Sequence, residues 1–286
     1  MSAAGNRPLA VILSVRTDRG APPAATGTAI RAFVIVAFCI ALFAMLDRSV
    51  AAQTAAPGHV TGVLAILSTW TPAILLGFLT NIYISLLSML VATVLGTLVG
   101  IGLVAERMPV RWCCWGFTHF FRNAPWLVIL FYCMLLLPFS LHAGPFSAPL
   151  PDWSKAVFGI AIAASANMAE VVRGAIQSIP TGQWESAASL AFSRRQIIWM
   201  IILPQCVKRM VPGWMNLYAL VMVSTPLCSV VGVREVMTTI ADMLASYSRH
   251  DLLMPAYFYL LLLFFVFCFP IARLTLKIER RFSVVG

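Results

Sequence analysis

Charge is scarce in this chain of 286 residues: Asp, Glu, Lys and Arg make up only 10% of it, against 60% apolar and aromatic residues. Soluble domains carry about a quarter charged residues, so this supply excludes a sizeable soluble catalytic domain. The mean hydropathy of +0.90 describes a polytopic membrane protein instead, since about 20 residues suffice for one bilayer span. No G-x-x-x-x-G-K-[ST] occurs, so the chain has no P-loop with which to cradle ATP phosphates. Most of the seven cysteines fall in apolar runs, where a free thiol behaves as a small hydrophobe. The adjacent Cys113 and Cys114 lack the C-x-x-C spacing of a zinc or redox site, and four scattered histidines add no metal-ligand pattern.

The charge that is present is one-sided, at a formal +10. In a membrane protein such an excess marks cytoplasmic loops and contact with lipid rather than nucleic acid, which is not an expected partner. Residues 1–30 are rich in Ala, Gly, Pro and Thr and read as a mobile cytoplasmic arm. Residues 31–75 follow as a first transmembrane helix, built on the uncharged run Ala32 to Leu46, and an external interfacial segment. That interfacial character, with Trp70-Thr71-Pro72, extends from Arg48 to Asn81. A rival reading of the first helix is a signal peptide cleaved near Ser49-Val50-Ala51.

The core, residues 76–286, holds five further apolar stretches: Ile82 to Ala105, about Phe117 to Pro138, Ala156 to Ile176, Val211 to Val233 and Leu252 to Ala272. Gly96 and Gly100 lie four apart and make a smooth strip for a close helix neighbour. Pro212, Pro226, Pro255 and Pro270 mark kinks or ends. With the amino terminus inside, only Arg48, Lys155, Arg234 and Arg249 fall in outer segments, while Arg122 sits in a span. This asymmetry predicts that both termini and the loop from Arg173 to Arg209 are cytoplasmic.

Two short helices are expected in that loop. The first runs from about Gly182 to Leu190, with Thr181 or Gly182 as N-cap and Glu185 in the first turn, where a carboxylate complements the helix dipole. Ala187 and Ala191 would give it a small face at i and i+4. Ser193 and Gln196 have capping-box spacing, so a second helix starts there and leads through Ile197 and Ile201 toward Leu203-Pro204. Spacing alone also fits an amphipathic elbow resting on lipid headgroups.

The string ESAASLAFSRRQIIWMIILP resembles the EAA loop of ABC importer transmembrane subunits: E-A-A, three residues, G, nine residues, I-x-L-P. Glu185, Ala187, Ile201, Leu203 and Pro204 match in register, while Ser186 and Ala191 stand where the family has Ala and Gly. Asn167 to Gly174, with Ile179-Pro180 and Gly182-Gln183, is similar to a signature of polar amino acid permeases. So are Phe121 to Val128 and Ser229-Val230-Val231-Gly232-Val233, and the resemblance covers about Leu76 to Arg281.

The resemblance implies an all-α type I ABC importer permease fold with about six transmembrane helices, in a bacterial inner membrane. It implies a non-enzymatic, dimeric subunit that imports polar amino acids or related derivatives. Separate ABC ATPase subunits would bind ATP and Mg, an extracytoplasmic solute-binding protein would deliver ligand, and a second permease subunit, identical or related, would complete the pair. Gly182, Glu185, Ala187, Ala188, Ala191, Ile201, Leu203 and Pro204 would couple to the ATPase. Two departures stand out. If the turn at 191 needs a positive φ, Ala there costs roughly 1–2 kcal/mol. Val223-Ser224 stand where many members carry Lys-Asp before a Thr-Ser-Leu, here Thr225-Pro226-Leu227.

Ionisable residues in spans are candidates for the substrate path. Glu170 has two readings, an i, i+3 ion pair with Arg173 or a partner for a cationic ligand group. Arg122 reads as a snorkelling residue near the inner face or as a partner for a substrate carboxylate. Asn216, Ser224 and Thr225 are neutral candidates, although Ser and Thr in spans often bond their own helix. The alternative from another class, an ion-gradient-driven secondary transporter, calls for an inverted repeat and a coupling-ion site. The sequence offers no clear repeat. A non-transporting membrane scaffold is a third reading.

Overall fold

A computed structural model describes residues 62–143 and 146–282 of the chain. The expected arm, the first span at Ala32 to Leu46 and its cleavage alternative lie outside the described residues. Helix α1, Val63–Leu103, is a single helix of 41 residues, so no external segment ends at Asn81 and no new span begins at Ile82. Pro72 lies inside α1 and breaks nothing, although its missing N–H costs one helical bond. Beside it the hydroxyls of Thr69 and Thr71 donate to the carbonyls of Ala65 and Leu67, at 2.9 and 2.8 Å.

The stretch expected as one span from Phe117 to Pro138 is a broken pair. Helices α2, Met108–Asn123, and α3, Trp126–Leu136, meet at a bend of 108°. The cause is local, since a residue before proline is pushed out of the α region and Ala124, ahead of Pro125, is extended at ψ 138. Strands β1, Ser140–Ala143, and β2, Phe146–Pro149, pair antiparallel as a minor addition to a helical fold. Helix α4 follows as Asp152–Gln177.

The expected loop helices are both present. Helix α5 is Thr181–Ser189 and α6 is Arg194–Gln196. The latter runs through a π-helical segment, Ile197–Ile202, into α7, Leu203–Ser224. Pro204 cannot donate a backbone bond, and the wider π turn just before it lets the helix continue where the sequence suggested an end. The short α8, Leu227–Val230, precedes α9, Val236–Tyr247. Helix α9 has no counterpart in the sequence reading. A 3₁₀ turn, His250–Leu252, then leads to α10, Leu253–Phe282. Among the described residues four helices are long and apolar enough to cross a membrane, and the bent pair α2–α3 makes up to five.

Helix α4 is the axis of the fold. Its Ala-rich faces are almost wholly buried, from Ala156 through Ala163, Ala164 and Ala169 to Ile176. The glycine strip finds its partner here: a Cβ on Gly96 would sit 2.5 Å from Met168 Cβ, and one on Gly100 would sit 2.6 Å from Val172 Cβ. On the other side a Cβ on Gly213 of α7 would meet Val171 at 2.8 Å. Without a hydrophobic drive between helices in lipid, such close backbone approach and interhelical hydrogen bonds carry the association. Trp214 Nε1 donates to Thr93 Oγ1 at 2.8 Å, and Ser88 Oγ to the Val157 carbonyl at 3.2 Å. Leu76, Leu79, Leu86, Leu90 and Leu98 of α1 are exposed, as suits a surface toward hydrocarbon.

Candidate functional site

The loop between α4 and α7 is built from local caps. Pro180, not Thr181 or Gly182, is the N-cap of α5, and no side chain caps it; Gln183 N–H reaches the Pro180 carbonyl at 3.0 Å. At the other end Phe192 N–H donates to Ala187 O at 3.3 Å and Ala191 N–H to Ala188 O at 2.9 Å. These two bonds form a Schellman closure, which needs a left-handed residue after the C-cap. Ala191 fills that place at φ 58, so the strained option holds at the site where the EAA pattern has glycine. The capping box of the next helix is complete: Ser193 N–H donates to Gln196 Oε1 at 2.9 Å, and Gln196 N–H to Ser193 Oγ at 3.4 Å.

These caps turn Ala187 inward. It is 3% exposed and packs in the core with Ile176, Ile179, Ile197 and Ile202. The proposed small face at 187 and 191 therefore does not exist, because Ala191 lies beyond the helix end in a different backbone conformation. Gly182, Glu185 and Ala188 are exposed on α5, as are Thr181, Gln183, Ser186 and Ser189; only Trp184 and Ala187 turn toward the bundle. Ile201 and Leu203 are half-buried and Pro204 is exposed. Two braces, from Arg194 and Gln205, hold α5 to its neighbours, and a third, from Arg209, ties α7 to the end of α4 just ahead of it. The Arg194 guanidinium lies 4.2 Å from the Trp184 ring centre and 3.4 Å from Glu106 at the α1–α2 turn. Arg209 donates to the Ser178 carbonyl at 2.8 Å and to its hydroxyl at 3.0 Å. Gln205 reaches Gln183 at 3.5 Å. Sequence reasoning missed Trp184 and Arg194, whose meeting depends on the turn at Ala191.

Glu170 is committed to arginine. Its carboxylate accepts from Arg173 Nε and a terminal nitrogen at 2.9 and 2.7 Å, and Arg122 lies 3.6 Å away. This favours the intrahelical ion pair of the two readings. It also places Arg122 in a cluster rather than as an isolated snorkelling side chain. The cluster lines a cavity of about 560 Å³ between α2 and α4 at the loop end of the bundle, with Arg111, His119, Trp112 and Trp115.

The structure does not bring Asn216, Ser224 and Thr225 to Glu170 by any bond. Asn216 is exposed on α7. Ser224 Oγ donates to its own helix at Leu220 O, 2.8 Å away, and Thr225 Oγ1 to Met222 O at 2.8 Å. Thr225 is buried because it belongs to a second network that the sequence reading missed. Asn81 Nδ2 donates to Thr225 Oγ1 at 2.9 Å and to Glu235 Oε2 at 2.7 Å, while Val236 N–H donates to Asn81 Oδ1 at 3.1 Å.

Glu235, between the spanning helices, is 1% exposed and caps α9 through Met237 N–H and Thr238 N–H. Burial pushes its carboxyl up from the ordinary value, against the hydrogen bonds that pull it down. The available signal was local: an acidic N-cap ahead of Val236, Ile240 and Met243 at helical spacing, all buried. Among the described residues no group of three or more His, Cys, Asp or Glu stands close enough to hold a metal ion.

Comparison with known proteins agrees with this geometry. Residues 92–284 match the family described as binding-protein-dependent transport system inner membrane component. The chain is 31% identical over 213 residues to GluD, the glutamate transport system permease protein of Corynebacterium glutamicum, covering 74% of this chain and 76% of that one. It is 28% identical over 188 residues to YhdY, an inner membrane amino-acid ABC transporter permease protein of Escherichia coli (strain K12), covering 66% of this chain and 50% of that one. The chain thus spans half the length of YhdY and about three quarters of GluD.

A crystal structure of an amino acid ABC transporter with histidines superposes with a TM-score of 0.66 at 20% identity, over 78% of this chain and all (100%) of that one. An inward-facing MetNI methionine ABC transporter superposes with a TM-score of 0.54 at 14% identity, over 72% and 95%. At these identities the likeness is one of fold, the all-α, multi-span type I ABC importer permease fold. The chain belongs to the binding-protein-dependent transport system inner membrane components and is an ABC transporter permease subunit related to polar amino acid import systems.

Proposed function

We propose that the chain forms the membrane path of an ATP-driven importer of polar amino acids or related derivatives, and that the loop 173–209 couples it to a separate ATPase. The observation that carries this reading is the exposed face of α5, which includes Gly182, Glu185 and Ala188, on a short helix whose other face is locked into the core by Ala187. A helix that transmits force must move as a rigid body with the spans behind it. The Schellman closure, the capping box and the Arg194 and Arg209 braces supply that rigidity. In this reading Ala187 and Ala191 shape the contact from behind, while Ile201, Leu203 and Pro204 carry its motion into α7 through the π segment.

The loop end and both termini face the cytoplasm, as the distribution of Lys and Arg supports. An extracytoplasmic binding protein delivers solute at the opposite end, and a second permease subunit, identical or related, completes the path. GluD and YhdY are named for glutamate and amino-acid transport, which supports that substrate class. Asn216, exposed on α7 and without a side-chain hydrogen bond among the described residues, is the neutral path residue that this arrangement favours.

Reconstitution tests the reading. Proteoliposomes holding the permease with its ATPase should take up labelled amino acid only with ATP on the ATPase side and binding protein on the other. Uptake that persists without ATPase and collapses with an ionophore would instead establish a gradient-driven transporter.

A further inference from the structure

We propose that the cavity between α2 and α4 holds the phosphate headgroup of an anionic phospholipid, with an acyl chain along α3. The inference rests on the orientation given above, in which the loop end faces the cytoplasm. Three guanidinia, Arg111, Arg122 and Arg173, face one carboxylate, Glu170, in a space of about 560 Å³. Arg122 and Arg173 share Glu170, whereas Arg111 has no carboxylate within ion-pair range among the described residues; its side chain donates to Met108 Sδ at 2.9 Å. The cavity is therefore electropositive, and guanidinium forks suit phosphate oxygens.

Two further observations distinguish a lipid from a soluble anion. Trp112 and Trp115 stand at the cavity 63% and 50% exposed, and indoles favour the headgroup level of a bilayer. A second, largely apolar cleft of about 440 Å³, lined by Phe121, Val128, Tyr132, Leu136 and Phe158, flanks the α2–α3 bend. Phe121 and Arg122, neighbours in sequence, line the apolar cleft and the basic cavity respectively. A free phosphate would occupy only the basic cavity, whereas a phospholipid would also lay an acyl chain in the apolar cleft. Basic pockets beside spans on the cytoplasmic side are suited to anionic headgroups.

The test uses the permease purified with its ATPase in mild detergent, incubated with phosphatidylglycerol or phosphatidylcholine and followed by native mass spectrometry during delipidation. One phosphatidylglycerol per permease chain should survive conditions that strip phosphatidylcholine. Arg111→Gln, at an exposed position, should weaken its retention about tenfold, the scale of one charge-assisted contact. Glu170→Gln, which removes the opposing carboxylate, should retain the lipid at least as well as the wild type.

Phosphatidylglycerol should also protect Arg111 from phenylglyoxal, while inorganic phosphate alone should not. Equal retention of the two lipids, unchanged retention in Arg111→Gln, or full protection by inorganic phosphate would overturn the lipid site. ATP-driven uptake in phosphatidylcholine vesicles is measured in parallel. Intact uptake without lipid selectivity would remove this inference alone and leave the transport reading standing.

Discussion

Ala191 offers the sharpest quantitative test of the loop geometry. A left-handed backbone costs an L-residue about 1–2 kcal/mol, and Ala191 adopts it at φ 58 to close α5. Ala191→Gly removes that cost but adds about 0.4–1 kcal/mol of chain entropy to the open state. The net effect is a loop closure stabilised by up to about 1.6 kcal/mol, centred on about 0.8, which lowers the open population and slows exchange roughly fourfold. The amides of residues 191 and 192 report on it directly, because they donate the two closing bonds. Hydrogen exchange followed by mass spectrometry on peptides spanning 186–196 should show that slowing in the glycine variant. Ala191→Val, β-branched and poorly tolerated at positive φ, should exchange faster than the wild type. Equal or faster exchange in Ala191→Gly, or no change in Ala191→Val, would refute both the turn and the rigid-helix argument built on it.

Other consequences concern charge and topology. Glu185→Lys or Ala188→Asp, on the exposed face of α5, should leave the protein inserted but abolish substrate-stimulated ATP hydrolysis, whereas Ala187→Asp should lower yield by burying an unpaired charge at a cost of several kcal/mol. Because the Glu235 carboxyl is raised in the folded protein, the folded state holds its proton to higher pH than the unfolded chain. Stability from this group is thus full below the ordinary glutamate range and is lost as pH rises toward the raised value. The thermal midpoint of the wild type should fall across that window relative to Glu235→Gln, and parallel curves would contradict the burial argument. A single cysteine at position 189 in an otherwise cysteine-free protein should resist an impermeant reagent in intact cells and react in inverted vesicles; labelling from outside would reverse the topology.

What could be read from the sequence was mostly local. The capping box at Ser193 and Gln196 specifies its own geometry within four residues, so the second loop helix was visible before any packing was known. The Gly96 and Gly100 strip announced a close neighbour, although only the structure identifies it as α4. Features that depend on distant partners were hidden. Ala187 joins the same buried core as Ile176, Ile179 and Ile202, which no helical period within α5 reveals. The bend at Pro125 lies in a run that is apolar apart from His119, Arg122 and Asn123, where hydropathy alone counts one span. Asn81 and Glu235 meet across 154 residues, so the glutamate could at most be read as an N-cap. Helix α1 runs through Pro72 without a break, although Trp70-Thr71-Pro72 had suggested an interface there.

The central claim is that the exposed face of α5 is the contact through which ATP hydrolysis drives this permease. Photo-crosslinking from single positions in the assembled complex tests it most directly, with probes placed in turn at 185, 187, 188 and, at the opposite end of the bundle, 242. The account predicts crosslinks to the ATPase from 185 and 188, which nucleotide state alters, and none from the buried 187 or from 242. Absence of ATPase adducts at 185 and 188, or adducts at 242 instead, would contradict it.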